Sequence, residues 1–213
     1  MPGQSIEKAA AELLPKIIKE NKQIIFNGNG YAEEWRKEAA KRGLLNHTNT
    51  VDALPEAVKP EVVRIFETYK VLSSRELHAR YEVAVETYVK TVNVEAQLMV
   101  LMANRYILPA ALRYLKDIAE SVGAVKAAGG SVKEAKRLLD QLAGQVDDLR
   151  SRTDALAKAV EHHASDALKH AKFTRDQIVP AMVALREAGD QIELLVPHEI
   201  WPLPTYREML FIK

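Results

Sequence analysis

Ser131-Val132-Lys133-Glu134-Ala135-Lys136-Arg137-Leu138-Leu139-Asp140-Gln141-Leu142 opens a stretch that continues Ala143-Gly144-Gln145-Val146-Asp147-Asp148-Leu149-Arg150-Ser151-Arg152-Thr153-Asp154-Ala155-Leu156-Ala157-Lys158-Ala159-Val160. Within it Val132, Ala135, Leu139, Leu142, Val146, Leu149, Thr153, Leu156 and Val160 alternate steps of three and four, the signature of a coiled-coil seam. Ser131 with Glu134 has the spacing of a capping box, so a helix is expected to start there. Ala127-Ala128-Gly129-Gly130 immediately before it reads as a turn, which reverses the chain.

The partner of that seam lies upstream. Ser73-Ser74-Arg75-Glu76 is a capping box with Leu72 and Leu77 placed as a staple, and Leu77, Tyr81, Val85, Tyr88, Val92, Ala96, Met99, Ala103 and Tyr106 keep one stripe to about Val122. Pro109 predicts a kink. Downstream of Val160 the stripe passes to Ala164, Leu168, Ala171, Ile178, Met182 and Leu185 with a one-residue change of register, read as a local change of supercoil, and Pro180 implies a bend. Helices over 74–122 and 131–189 would be roughly 70 and 90 Å long at about 1.5 Å per residue. The fold expected is all-α, a helical bundle built on a long antiparallel hairpin, with the tip around residues 115 to 150 either projecting as an arm or folding back.

Shorter elements precede the hairpin. Ile6, Ala9, Leu13, Ile17 and Ile18 share a helical face, with Pro15 expected to bend or interrupt it. Asn27-Gly28-Asn29-Gly30 asks for a turn, and a helix from about Tyr31 carries Glu33 and Glu34 at its start, Lys41 and Arg42 at its end, and Gly43 as a stop. Residues 44–72 read as short helices joined by tight turns. The chain closes on an extended Trp201-Pro202-Leu203-Pro204 segment, then a third capping box in Thr205-Tyr206-Arg207-Glu208 and an apolar Met209-Leu210-Phe211-Ile212. Trp201, Tyr206 and Phe211 are expected to anchor this tail on the chain's own body, in preference to serving as a proline-rich peptide ligand.

Composition agrees with helices and narrows the function. Among 213 residues, 29 are alanine, while glycine and proline number only 9 each, which favours close-packed helices over sheet. Lys plus Arg number 30 against 29 Asp plus Glu, so no cationic excess points to nucleic acid or an anionic membrane. With no cysteine, disulfides, thiolate metal sites and thiol nucleophiles are excluded, and a reducing cytoplasm fits. The longest apolar run, Leu98 to Ala103, falls far short of the roughly 20 residues of a membrane span. Met1-Pro2-Gly3-Gln4-Ser5 lacks the basic and apolar parts of a signal peptide.

Three groups of residues invite chemistry. The Asn27–Gly30 turn lies before a helix, where backbone amides attract anions, but no Lys-Ser/Thr pair follows and Glu33 and Glu34 would repel phosphate. Glu161, His162, His163, Asp166 and His170 form the histidine-rich patch; His162 and Asp166 are four apart, a metal-ligand spacing that one helix leaves short of further donors. Arg75, Glu76, His78, Arg80 and Glu82 crowd the start of the long helix, where Glu76–Arg80 and His78–Glu82 are spaced for ion pairs and no nucleophile accompanies them. Asn93 and Glu95 interrupt an apolar helix as register pins or subunit contacts. These residues yield no catalytic, cofactor-binding or metal site, and Trp35, Arg75, Glu76, His78, Arg80, Glu82, Trp201, Tyr206 and Phe211 remain as structural or interface candidates.

Longer blocks carry a resemblance. Ile25-Phe26-Asn27-Gly28-Asn29-Gly30-Tyr31-Ala32-Glu33-Glu34-Trp35, Glu38-Ala39-Ala40-Lys41-Arg42-Gly43-Leu44, Thr50-Val51-Asp52-Ala53-Leu54-Pro55, Val71-Leu72-Ser73-Ser74-Arg75-Glu76-Leu77-His78-Ala79-Arg80-Tyr81-Glu82 and Trp201-Pro202-Leu203-Pro204-Thr205-Tyr206-Arg207-Glu208-Met209-Leu210-Phe211 are similar to type III glutamine synthetase, in the region after its catalytic domain. Residues 120–160 show only generic heptads. The resemblance implies a parent enzyme that uses ATP and Mg or Mn to phosphorylate glutamate before ammonia displaces phosphate, working in the cytoplasm as a homo-oligomer whose subunits share active sites. It also implies that residues 1–24 correspond to the last helix of the catalytic domain and 25–213 to a C-terminal helical domain, as in a truncated fragment. No active-site motif of that family falls on this chain, so the resemblance implies a non-catalytic domain for subunit packing or assembly, inactive alone. A stand-alone coiled-coil scaffold is the competing reading.

Overall fold

The computed structural model describes residues 5–211; the leading Met1-Pro2-Gly3-Gln4 and Ile212 of the apolar tail lie outside them. Among the described residues there are helices and turns and no strand, as the alanine-rich periodicity predicts. The chain divides into two compact units, residues 1–53 and 54–213.

In the first unit α1 (Ile6–Glu20) runs uninterrupted through Pro15, with Ser5 accepting from the Lys8 amide at its start. None of its residues is buried: Ile6, Leu13, Leu14, Ile17 and Ile18 are all exposed. A short 3-10 turn, α2 (Glu33–Lys41) and α3 (Thr50–Ala53) complete this unit. Its local order centres on Arg42, which donates to the carbonyls of Ile25 (2.6 Å) and Gln23 (3.2 Å) and pairs with Glu38 at 2.7 Å. The guanidinium also faces the Phe26 and Trp35 rings, themselves 4.5 Å apart. Arg42 thereby ties the chain before the Asn27–Gly30 turn to the helix after it.

The second unit holds the continuous core. After a 3-10 turn and α4 (Pro60–Thr68) come α5 (Ser74–Met102), α6 (Leu108–Ala127), α7 (Lys133–Val160), α8 (Ala167–Phe173), α9 (Val179–Glu193) and α10 (Tyr206–Leu210). The Ser73 capping box forms as expected: its hydroxyl accepts from the Glu76 amide while Glu76 accepts from the Ser73 amide at 2.8 Å. The one expected at Ser131 does not form, since Val132 occupies the cap position without a side-chain bond.

Helix α7 packs against α5, α6 and α9. Its seam carries the burial, with Leu142, Leu149 and Leu156 essentially sealed and Thr153 donating to the Leu149 carbonyl at 2.7 Å. Fully burying such a side chain is worth about 1.5–3 kcal/mol. Across the helices Arg150 donates to Asn104 at 2.9 Å and Arg152 to the Ala184 carbonyl at 2.7 Å.

Two prolines are absorbed in the same way. Five-residue π turns, Ala103–Ile107 and Thr174–Ile178, each end two residues before Pro109 and Pro180. A wider turn relieves the clash between a proline ring and the preceding turn, whose carbonyl the proline cannot bond. The expected kinks are therefore bulges inside helices that keep going.

The single helix expected over 131–189 is two limbs. It breaks at 161–166, and Asp166 restarts it by accepting from the Lys169 amide at 2.7 Å. The one-residue change of register beyond Val160 marks this reversal, not a change of supercoil. Consequently α9 returns along α7, and Val196 and Trp201 join the cluster that contains Leu142 and Ile118. Along 115–150 the buried residues are Ile118, Leu142, Val146 and Leu149, and none of residues 119–141 is buried.

Candidate functional site

Polar and aromatic side chains converge at the α7–α8 elbow. His162 stacks on Phe173 with ring centroids 3.7 Å apart, and His170 meets His162 and His163 edge-on at 6.1 and 6.2 Å. Burial is the main cause that holds His170 below its ordinary value; the two neighbouring imidazoles add to it, and a bond to the His162 backbone opposes them. Against this elbow α5 presents Asn93, flanked by open depressions of about 380 and 340 Å³. Val100, Gln97, Glu161 and His163 line the first; Glu86, Lys90, Ser165 and His170 line the second. Asn93 Oδ1 is sealed and without a hydrogen-bond partner.

The metal-ligand spacing of His162 and Asp166 does not survive folding. Both lie inside the break at 161–166, so no helix holds them on one face; Asp166 caps the next helix and the His162 ring lies on Phe173. Among the described residues no three His, Asp or Glu side chains gather as metal ligands.

At the start of α5, neither Glu76–Arg80 nor His78–Glu82 closes into an ion pair. Glu76 turns back to the cap, where the Ser73 amide and hydroxyl hold its carboxyl below the usual range, and His78 Nδ1 lies 2.8 Å from the Ser74 carbonyl oxygen. Arg75, Arg80 and Glu82 are exposed. In the first unit Trp35 is half-buried against Phe26 and Arg42, while Tyr31, held by its amide bonding to Asn29 Oδ1, is 97% exposed. Of the three tail aromatics Trp201 is buried in the core, whereas Tyr206 and Phe211 are exposed, so anchoring on the chain's own body rests on Trp201. The Thr205 capping box forms.

Sequence reasoning missed Phe173 and Lys90 as members of the elbow site. Nothing in the periodicity marks them, because Phe173 meets His162, and Lys90 comes to line the same depression as His170, only once the chain reverses at 161–166. Asn93 stood out in the sequence as a polar interruption, read as a register pin or subunit contact; the structure places it between the two depressions.

A family model described as the glutamine synthetase C-terminal domain matches residues 9–126. A glutamine synthetase of Butyrivibrio fibrisolvens is 29% identical over 214 residues, covering 98% of this chain and 30% of that protein. The type-3 glutamine synthetase of Dictyostelium discoideum is 27% identical over 221 residues, covering 100% of this chain and 30% of its own length. A glutamine synthetase of Bacteroides fragilis is 29% identical over 214 residues, with 95% of this chain and 29% of the relative covered. The chain thus spans about 30% of the length of these curated relatives.

Proposed function

Because the chain belongs to the glutamine synthetase C-terminal domain family, we propose that it serves a cytoplasmic synthetase of the type-3 class as a packing and assembly element. In this reading residues 1–24 close the catalytic domain, residues 25–213 form the helical domain, and the partners are that catalytic domain and neighbouring copies of the subunit. The observation that carries the reading is α1: a 15-residue amphipathic helix that buries none of its residues. Apolar faces of that extent are covered in working proteins. The parent reaction needs ATP and a divalent ion; the described residues do not gather the carboxylates such an ion needs, so no step of that chemistry is assigned to this chain. Its contribution is to hold other protein in place.

Replacing Leu13 and Ile17 by Glu in the longer synthetase tests this. Two buried apolar side chains are worth about 3–6 kcal/mol, so the assembled particle should dissociate on sedimentation at roughly a hundredfold higher concentration or more. Unchanged assembly overturns the packing role. Glutamate-dependent ATP turnover by the isolated chain overturns its non-catalytic character.

A second reading has its own observation. Val94, Leu98 and Leu101 are exposed at steps of four and three along α5, a stripe suited to a helical partner of a free-standing scaffold. Monomeric sedimentation of the isolated chain at tens of micromolar, unchanged by Leu98→Glu, removes self-association through that stripe.

A further inference from the structure

We propose that the elbow at 161–166 is a proton-operated hinge, closed when His170 is neutral and opened when it is protonated. The inference is independent of the assembly role. Its basis is the arrangement of three imidazoles about a chain reversal. His162 and His163 lie in the elbow, while His170 lies on α8 beyond it, meeting both rings edge-on at 6.1 and 6.2 Å. The reversal has no glycine or proline to shape it. What holds it is the Asp166 cap, the stack of His162 on Phe173 and the packing of His170 beneath the two imidazoles.

Among the described residues, the carboxylates around His170 each have another partner or face water. From α5, Glu86 faces the same groove, but it pairs with Lys90 at 2.9 Å. Within the elbow, Asp166 is committed to the Lys169 amide, and Glu161 is exposed to water. In the π turn that follows α8, Asp176 pairs with Arg175 at 2.7 Å. Lys90, Arg175, His162 and His163 all add positive charge or the capacity for it. A bond to the His162 backbone favours the proton, and it does not outweigh burial and the neighbouring rings.

The direction of the linkage follows. A histidine whose value is lowered in the closed elbow binds protons less well there than in an open one, whose value is the ordinary 6.5. Closure is therefore fully favoured above about pH 6.5, and that advantage is lost as pH falls from there through the lowered value.

The test uses the full chain. Proton NMR titration of the six histidines should show His170 titrating below the ordinary imidazole value of 6.5. Amide-exchange protection factors, which divide out intrinsic exchange, should drop severalfold over 167–173 between pH 7.5 and 5.5 and stay level around Gly129. His170→Asn should abolish the drop. Replacing both His162 and His163 by Gln should move His170 toward its ordinary value and shrink the drop. A His170 midpoint at or above the ordinary value, equal protection at both pH values, or a drop that persists in His170→Asn each overturns the hinge. Should His170→Asn fail to fold, the midpoint and the two protection profiles of the natural chain decide it.

Discussion

The two ends of α7 reverse the chain by different physics. At the tip the turn is made of backbone: Gly129 takes φ +78°, and a Cβ on Gly130 would come within 2.7 Å of the Val125 side chain. At the elbow it is made of side chains, with Asp166 capping α8 and His162 lying on Phe173. A backbone-coded reversal depends on steric permission that no solvent condition alters. A side-chain-coded reversal depends on rings and a carboxylate whose charge the solvent sets. The same helix therefore ends in one turn indifferent to pH and one that responds to it.

That contrast can be broken in several ways. The largest effect is expected from Leu149→Ala, midway between the ends, where removing a sealed side chain should cost about 2–5 kcal/mol in denaturant unfolding. Because α7 is a shared wall, tip and elbow should lose protection together; a loss confined to one end would mean they are separate cooperative units. Gly129→Ala forces a Cβ into the left-handed region and should cost about 1–2 kcal/mol, with exchange at 161–173 unchanged. Asp166→Ala removes a cap bond and should cost about 1 kcal/mol, felt by exchange at 167–173 and not at the tip. The smallest effect sharpens the elbow alone. Thr174 is fully buried with an unpartnered hydroxyl, unlike Thr153, which bonds the Leu149 carbonyl. Thr174→Val should leave stability unchanged or raise it by up to about 1 kcal/mol in melting experiments, while Thr153→Val should lower it.

The tip was readable because its signals are local. Glycines at 129 and 130 and the alternating seam that follows act over a few residues, and the buried Leu142, Leu149 and Leu156 lie where that spacing puts them. The capping boxes at Ser73 and Thr205 were readable for the same reason. The elbow was not, since Ala164, Leu168 and Ala171 extend the apolar stripe across the break almost in register. An apolar stripe records which side chains face a core; it does not say whether the helix carrying them continues or turns back. Tyr206 and Phe211 illustrate the same limit, being apolar enough for a core and left exposed.

From its amino acids alone this chain was bound to be helical, with α5, α6 and α7 carrying apolar seams and a glycine turn before residue 131, because helical period, caps and glycine freedom operate within one or two turns. Packing alone decided that α8 and α9 fold back along α7, that two prolines are accommodated by π turns, and that three histidines share one corner with Phe173. Those outcomes depend on which distant surfaces meet, and residues ten or more apart in sequence compete for the same neighbours only once the core has closed.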